Sequence, residues 1–550
     1  MSRADDTKRA RRPESGGGAI VADPSVGVVI STVWVVGMAV IAKALGLGKD
    51  VVVAARFGTS FDMDAYLVAF TVPTLIIAWL RSPLRSGFIP HFTESIERDG
   101  EASAWRGAGV LVTNLSVVVV VLSAITFAAA PAIVTAIAPG FEPEQAALAT
   151  LLTRVMLVSV LFASGANLCS AILHCYRNFA LPGLARPLNN LMLIAAAIFL
   201  TARFGILGLA WGVVAGSAAM FFVQLPAVIR RAKGFAVRVD FRDPMFLGVV
   251  RLAMPLFIGM AGAKLDDVID RIFASMLAEG SISGLSYALR LIELPREVLI
   301  VGFSTVLFPF FATMAARGEI EELGARLMRA IRIAFYVLLP VSVGMALLGE
   351  PFVRLIFQRG AFDERSVAFT TSALLLYTPT IWALGISSIM TVAFVSLKDT
   401  RRPVIAGFAR LGVKIGLAWV LIGVFEHAGV ALATSVSHIF KLVLFFLLLP
   451  RELREGRYKR LFKSFGGTAA ATAIMGVGLF YVARGGMGIE QSDSLLLRIA
   501  GLVGMGASGV LLYWLASLVV ARAELRSTLT AMRQGARDIG SRLGVSRNRG

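Results

Sequence analysis

Apolar stretches of about twenty residues recur along almost the whole of this 550-residue chain, and nothing else in the sequence restricts its fold as much. A helix rising ~1.5 Å per residue crosses the ~30 Å hydrocarbon layer in about twenty residues. Fourteen stretches qualify, at about 26–57, 64–95, 107–136, 145–175, 186–203, 206–229, 246–279, 283–315, 322–348, 366–396, 403–423, 428–450, 464–483 and 495–521. In lipid every backbone N–H and C=O needs an internal partner, which leaves helices for segments of this length. Composition agrees: 57% of residues are hydrophobic, only 16% are charged, and mean hydropathy is +0.77. Soluble domains carry roughly 25% charge. The expected fold is an all-α polytopic membrane protein with about fourteen transmembrane helices.

The net charge of +19 raises two readings, nucleic-acid binding or the basic cytoplasmic loops of a membrane protein. Placement decides between them. With the N-terminus inside, the cytoplasmic connections hold Arg98 and Arg106, Arg177 and Arg186, Arg230 to Arg242, Arg317 to Arg329, Lys398 to Arg402, and Arg451 to Lys463. The outer connections offer Glu142 and Glu144, Glu279, Glu426, and Glu490 with Asp493; Arg203, Arg484 and a mixed loop around Arg359 are exceptions. Both termini are therefore expected in the cytoplasm, with no nucleic-acid partner. No small-residue cleavage site precedes the first apolar run, so no cleaved leader is expected.

Beyond residue 521, Leu525, Leu529, Met532, Ala536, Ile539 and Leu543 alternate steps of four and three, with Arg526, Arg533, Arg537 and Arg542 between them. That pattern suits a helix lying on anionic membrane lipids. Cys169 and Cys175 fall on different faces of an apolar helix and read as buried thiols. No zinc-ligand spacing accompanies the four histidines, and no cofactor is expected.

The sequence also repeats itself. Tyr66 to Pro73 resembles Tyr287 to Pro295, with the prolines 222 residues apart. Gly140-Phe141-Glu142 resembles Ala361-Phe362-Asp363 at 221, Arg186-Pro187 resembles Arg402-Pro403 at 216, and Gly208-Leu209-Ala210 resembles Gly429-Val430-Ala431 at 221. The offset covers six spans, an even number, so the two copies face the same way across the membrane. The expected organisation is a cytoplasmic tail at 1–25, an N-lobe at 26–229, a basic linker at 230–245 and a C-lobe at 246–450. Two added helices at 464–521 and a basic amphipathic tail at 522–550 complete it, with a substrate path between two parallel six-helix lobes.

Ionised groups at membrane depth cost roughly 2.5–3.5 kcal/mol on insertion scales, and so they face a cavity or a partner. Here they concentrate in corresponding spans of the two copies. The first span carries Lys43, Lys49, Asp50 and Arg56 around Gly46 and Gly48, where its length invites a bend. The second has Asp64, Arg81 and Arg85; the seventh Lys264, Asp266, Asp267, Asp270 and Arg271; the eighth Arg290, Glu293, Arg296 and Glu297. Pairs three or four apart, Lys264 with Asp267, Asp267 with Arg271, and Arg290 with Glu293, satisfy one another along a helix. The first two spans keep an excess of cations, which calls for an anion rich in acceptor oxygens, such as a phosphate.

The stretch AVIAKALGLGKDVVVAARFGTSFDMDAYLVAFTVP, then FIPHF, YALRLIELPREVLIVGFSTVLFPFF, FQRGAF and LKDTRRP, resembles the lipid II flippase family MurJ (MviN), within the multidrug/oligosaccharidyl-lipid/polysaccharide exporter superfamily. The resemblance runs in order from about residue 26 to 521. It implies a transporter and not an enzyme: alternating-access movement of undecaprenyl-diphosphate-linked peptidoglycan precursor across the bacterial inner membrane, with the cell-wall synthesis machinery as partner. It places Lys43 and Lys49 where the family has cavity arginines, and matches Asp50, Arg56, Asp64 and Arg290. The family's arginine pair in the second span falls on Ile77 and Ala78, while Arg81 and Arg85 extend the same face one and two turns further on.

The expected substrate-binding cations are Lys43, Lys49, Arg81, Arg85 and Arg290, with Asp50, Arg56, Asp64 and Glu293 as gating or ion-pair residues. Three readings compete. A flippase for another polyprenyl-linked unit would keep the mechanism; a cation-coupled drug antiporter would use Asp266, Asp267 and Asp270; a membrane-embedded transferase would need paired carboxylates or a metal motif in a loop, and neither is present.

Overall fold

The computed structural model describes residues 24–83, 87–454, 458–490, 494–530 and 533, and every regular element among them is helical. In chain order these are α1 Pro24–Phe57, α2 Phe61–Pro83, α3 Ile89–Asp99, α4 Glu101–Ile137, α5 Pro143–Cys175 and α6 Ala180–Ala195. A π-turn at Ala196–Leu200 leads into α7 Thr201–Phe204 and α8 Ile206–Ile229. Then come α9 Pro244–Ser275, α10 Ser281–Ala316, α11 Ile320–Leu347, α12 Gly349–Phe357, α13 Glu364–Tyr377 and α14 Pro379–Ser396. The chain continues through α15 Arg401–Leu448, α16 Arg451–Arg454, α17 Tyr458–Glu490 and α18 Leu495–Val520. Residues 522–530 are helical as well, while Met532, Ala536, Ile539 and Leu543 of the expected amphipathic tail lie outside the described residues.

Ten helices among the described residues combine the length and apolarity of a bilayer crossing, against the fourteen spans expected. Helices α1, α9 and α10, at 34, 32 and 36 residues, are also long enough to cross a bilayer and carry the charges noted above. Residues 401–448 form one of the ten although Glu426, at φ 49° and ψ −132°, breaks the helix. The expected 64–95 span falls on α2 and on α3, an amphipathic helix that buries Phe92. Helix α1 is helical throughout, including Gly46 and Gly48. Large apolar side chains such as Ile125, Phe199, Trp419, Val424 and Val510 point outward, as lipid contact requires.

The internal duplication survives in three dimensions. In the first half α2 packs on α5, α5 on α4 and α8, and α1 on α6; in the second half α10 packs on α14, α14 on α11 and α15, and α9 on α15. Even a local backbone break is repeated. Gly205 adopts φ 55°, ψ −140°, and 221 residues later Glu426 adopts φ 49°, ψ −132°. Three residues after each break a glycine presses against the preceding helix: a Cβ on Gly208 would lie 2.6 Å from the Leu200 carbonyl carbon, and one on Gly429 2.5 Å from the Leu421 oxygen. At both places the chain re-enters a helix so closely that only hydrogen fits.

Helices α17 and α18 pack on each other and, through α11, on the second half. The linker after α8 is strapped to α4: fully buried Asn114 donates to the Asp240 carbonyl at 2.6 Å and accepts from its N–H at 3.0 Å. Helices α2 and α4 meet α9, and α2 meets α10, so these four helices form the junction between the halves.

Candidate functional site

At one end of the molecule the two halves close against each other through reciprocal contacts. The loop after α12 meets the end of α1, where Ala361 N–H donates to Ala55 O at 2.8 Å; the loop after α4 meets the end of α9, where Gly140 N–H donates to Ser275 Oγ at 3.3 Å. Residues 140 and 361, and 55 and 276, are again 221 apart, and a Cβ on Gly140 would collide with the Ser275 and Met276 backbone. Thr59 and Ser366 join their hydroxyls across the same seam at 2.8 Å.

The seam also exchanges helix caps. The first N–H groups of a helix have no partner within it and favour a negative group. Helix α10 starts from Gly280, which has no side chain to cap it. Asp64 of α2 supplies the cap from the other half, accepting from Gly280 N–H at 2.8 Å and Ser283 N–H at 2.7 Å while only 3% exposed. In return Glu279, just before α10, accepts from Phe61 N–H at the start of α2 at 2.7 Å.

Away from this seal two adjoining cavities open between the halves, of about 340 and 630 Å³. The smaller is lined by Lys264, Arg271 and Asp267 with Tyr66, Thr74 and Tyr287; the larger by Lys43, Arg186 and Asn190 with Met38 and Leu294. Lys49, Asp50, Arg290 and Glu293 line both and form the partition. There Lys49 Nζ lies 2.9 Å from Asp50, Arg290 Nε 3.9 Å from Asp50, and Arg290 Nη1 3.2 Å from Glu293, which Arg296 also reaches at 3.4 Å. Helices α1 and α10 are thus linked across the halves by an ion pair between Asp50 and Arg290.

Such solvated pairs are worth roughly 0–1 kcal/mol each. They are weak enough to be exchanged for a better anion, and Arg290 keeps 47% of its side chain exposed to receive one. The described lining carries six cations, Lys43, Lys49, Arg186, Lys264, Arg271 and Arg290, against four carboxylates, Asp50, Asp267, Asp270 and Glu293. One of the four, Asp270, is already matched from behind by Lys414 at 2.7 Å. The cavity is therefore positive overall, and an arginine fork with several ammonium groups suits a ligand with many acceptor oxygens.

A family model described as lipid II flippase MurJ matches residues 53–488. The chain belongs to this family. Relatives include the probable lipid II flippase MurJ of Buchnera aphidicola, 29% identical over 78% of this chain and 84% of its own length, and the lipid II flippase MurJ of Burkholderia cenocepacia, 28% identical over 76% and 82%. The probable lipid II flippase MurJ of Rhizobium meliloti is 27% identical over 90% and 94%. Among solved structures, lipid II flippase MurJ in an inward closed conformation is similar in fold, with a TM-score of 0.73, 23% identity, and coverage of 90% of this chain and all of that one. An inward-facing multidrug resistance MATE family transporter reaches 0.65 at 18% identity, covering 77% of this chain and 96% of its own.

In this MurJ-family chain the structure gathers Lys43, Lys49, Asp50, Arg290 and Glu293, expected from sequence, around the cavities. Asp64 sits at the seal. Arg56 belongs to neither; its Nη2 donates to the Ile198 carbonyl in the π-turn at 3.4 Å. Arg81 lies in the last turn of α2 and its side chain, like the whole of Arg85, lies outside the described residues. The expected intrahelical pairs Lys264 with Asp267 and Arg290 with Glu293 form at 3.0 and 3.2 Å, whereas Arg271 turns to α10 and donates to Ser286 Oγ at 2.7 Å and Ile282 O at 3.2 Å.

Of the acids set aside for cation coupling, Asp267 and Asp270 line the smaller cavity, Asp266 turns to Arg410 and Lys414 of α15, and Lys414 also reaches Asp270 from behind. Sequence reasoning placed Arg186 in a cytoplasmic connection and overlooked it as a cavity residue; its repeat partner Arg402, also beside a proline, was the available signal. It passed over Arg410 and Lys414 altogether.

Proposed function

We propose that this protein is a flippase that carries lipid II, an undecaprenyl-diphosphate-linked peptidoglycan precursor, across the inner membrane by alternating access. The observation that carries the reading is the net-positive cavity, divided by Lys49, Asp50, Arg290 and Glu293, between two halves joined at one end by the Asp64 seam, in a chain of the MurJ family. The diphosphate displaces Asp50 and Glu293 from Lys49 and Arg290, with Lys43 and Arg186 on the approach. The sugar and peptide occupy the polar space between the halves, and the lipid tail stays at the side, in the bilayer. Opening the seam at Asp64 and Glu279 then exposes the cargo on the far side.

The excess of Lys and Arg in one set of connections supports a reading in which both termini are cytoplasmic, the sealed end is periplasmic and the chain crosses the membrane fourteen times. Membrane potential acting on cavity charges supplies about 2.3 kcal/mol per charge per 100 mV. The cell-wall synthesis machinery is the partner on this reading.

Purified protein in proteoliposomes is expected to translocate labelled lipid II, and Arg290→Ala to abolish both that activity and rescue of a flippase-depleted strain without loss of protein. Full activity of Arg290→Ala would refute the anion clamp. A second reading, a flippase for a different polyprenyl-linked unit, draws support from Ile77 and Ala78, where the family's arginine pair is absent. Competition by other lipid-linked sugars in the same liposomes separates the two.

A further inference from the structure

At the cavity wall and behind it, the second half holds a polar cluster in which Asp270 lines the smaller cavity and Asp266, Arg410 and Lys414 stand behind it. Asp266 and Asp270 are one turn apart on α9, and Arg410 and Lys414 one turn apart on α15. Lys414 is fully buried, and its ammonium touches three oxygens: Asp266 Oδ1 at 2.6 Å, Asp270 Oδ1 at 2.7 Å and the Asp266 carbonyl at 3.2 Å. Arg410, 5% exposed, adds its Nη1 to Asp266 Oδ1 at 3.1 Å. The two carboxylates and two side-chain cations cancel.

Two carboxylates and a carbonyl oxygen converging on one point are the donor set that a hard cation takes. What occupies that point here is a cation on a tether. The first half has no counterpart: 221 residues before Asp270 stands Lys49, and before Lys414 stands Leu193.

We infer that the Lys414 ammonium permanently fills the place of a small monovalent cation, so that this transporter works without binding Na⁺ or K⁺ at the Asp266–Asp270 pair. The inference builds on the transport reading above. Removing the Lys414 side chain leaves two carboxylates facing one guanidinium, a net charge of −1, with space where the ammonium was. One monovalent cation restores neutrality. A free cation can leave and return with each cycle, but a tethered one cannot, so the pair fixes α9 to α15 throughout the cycle.

Thermal unfolding of the full-length protein in detergent tests this without any assay of lipid transport, so its outcome is separate from that of the flippase reading. At constant ionic strength, exchanging choline for Na⁺ or K⁺ is expected to leave the wild-type Tm unchanged. Lys414→Ala is expected to have a lower Tm in choline and a saturable upward shift in Na⁺ or K⁺, and the shift is expected to vanish in Lys414→Ala/Asp270→Asn. A merely structural role for Lys414 would lower Tm with no cation-specific recovery. The inference is overturned by a folded Lys414→Ala that ignores the cation, or by a saturable Na⁺ or K⁺ shift in the wild type that Asp266→Asn removes. The wild-type measurement decides even where Lys414→Ala does not fold.

Discussion

Removing the Asp64 carboxylate should open the sealed end of the transporter while leaving each half intact. Asp64 gives one half's carboxylate to the other half's helix N-terminus through two bonds of 2.8 and 2.7 Å, in a place only 3% exposed. Hydrogen bonds to a charged group contribute about 1.5–3 kcal/mol each. Water recovers part of this when the seam parts, so a net loss of about 2–4 kcal/mol falls on the closed state alone in Asp64→Ala. At 1.4 kcal/mol per tenfold, the closed-to-open ratio drops about 30- to 1,000-fold. Asp64→Asn keeps one acceptor in the same shape and should fall between.

Paired spin labels at Glu144→Cys and Glu350→Cys, one in each half near the seal, report the change once Cys169 and Cys175 are replaced. The distance distribution should gain a longer component in the order wild type, Asp64→Asn, Asp64→Ala. Arg56→Ala, whose arginine bonds the π-turn and not the seam, should leave the distribution as in the wild type. Superimposable distributions for all three Asp64 forms would refute the reasoning, because the seam would then close without its cap.

Further expectations concern the cavity, the close approaches and pH. Arg186→Ala should raise the lipid II concentration for half-maximal transport about 5- to 10-fold in proteoliposomes while leaving Tm unchanged, since one charge-assisted contact in water is at stake. Gly208→Ala and Gly429→Ala each force a Cβ to within 2.6 and 2.5 Å of backbone, and each should lower stability by about 1–3 kcal/mol in denaturant titration. Asp363 caps α13 by accepting from Ser366 N–H at 2.8 Å and Oγ at 2.9 Å, and these bonds hold its carboxyl below the ordinary value of 3.8. A depressed carboxyl stabilises above its ordinary value and loses that contribution as pH falls through its own lower one. Because Ser366 also bonds Thr59 across the seam, the long spin-label component should grow below about pH 4, and Asp363→Asn should flatten that dependence.

The parts of this fold that sequence reveals are those set by one-dimensional spacing. Apolar runs mark helices, and the 221-residue offset that matched Gly208 to Gly429 proves to mark the same backbone break, at Gly205 and Glu426. Intrahelical pairing is equally visible, and both Lys264 with Asp267 and Arg290 with Glu293 form. What spacing cannot show is a partner on a distant helix. Asp266 finds Arg410 and Lys414 at separations of 144 and 148 residues, and no periodicity along α9 points there. Arg186 was hidden for another reason: the proline beside it reads as a loop, whereas Pro187 lies inside α6.

The duplication also explains why the site is polar in one direction. At the seam, where both halves must meet and part together, the contacts keep the symmetry of the repeat, with 140 against 275 matching 361 against 55. At the cavity the same register reverses charge: Lys49-Asp50 in α1 corresponds to Asp270-Arg271 in α9. Of the two cations, Lys49 stands beside Arg290 on the partition, while Arg271 is tied to Ser286 and Ile282 on α10. Of the two acids, Asp50 is shared with Lys49 and Arg290, while Asp270 is taken by Lys414. A symmetric seam with an asymmetric cavity suits a cargo that carries charge at one end: the halves can move as equals, and under the proposed function the diphosphate has a single place to bind.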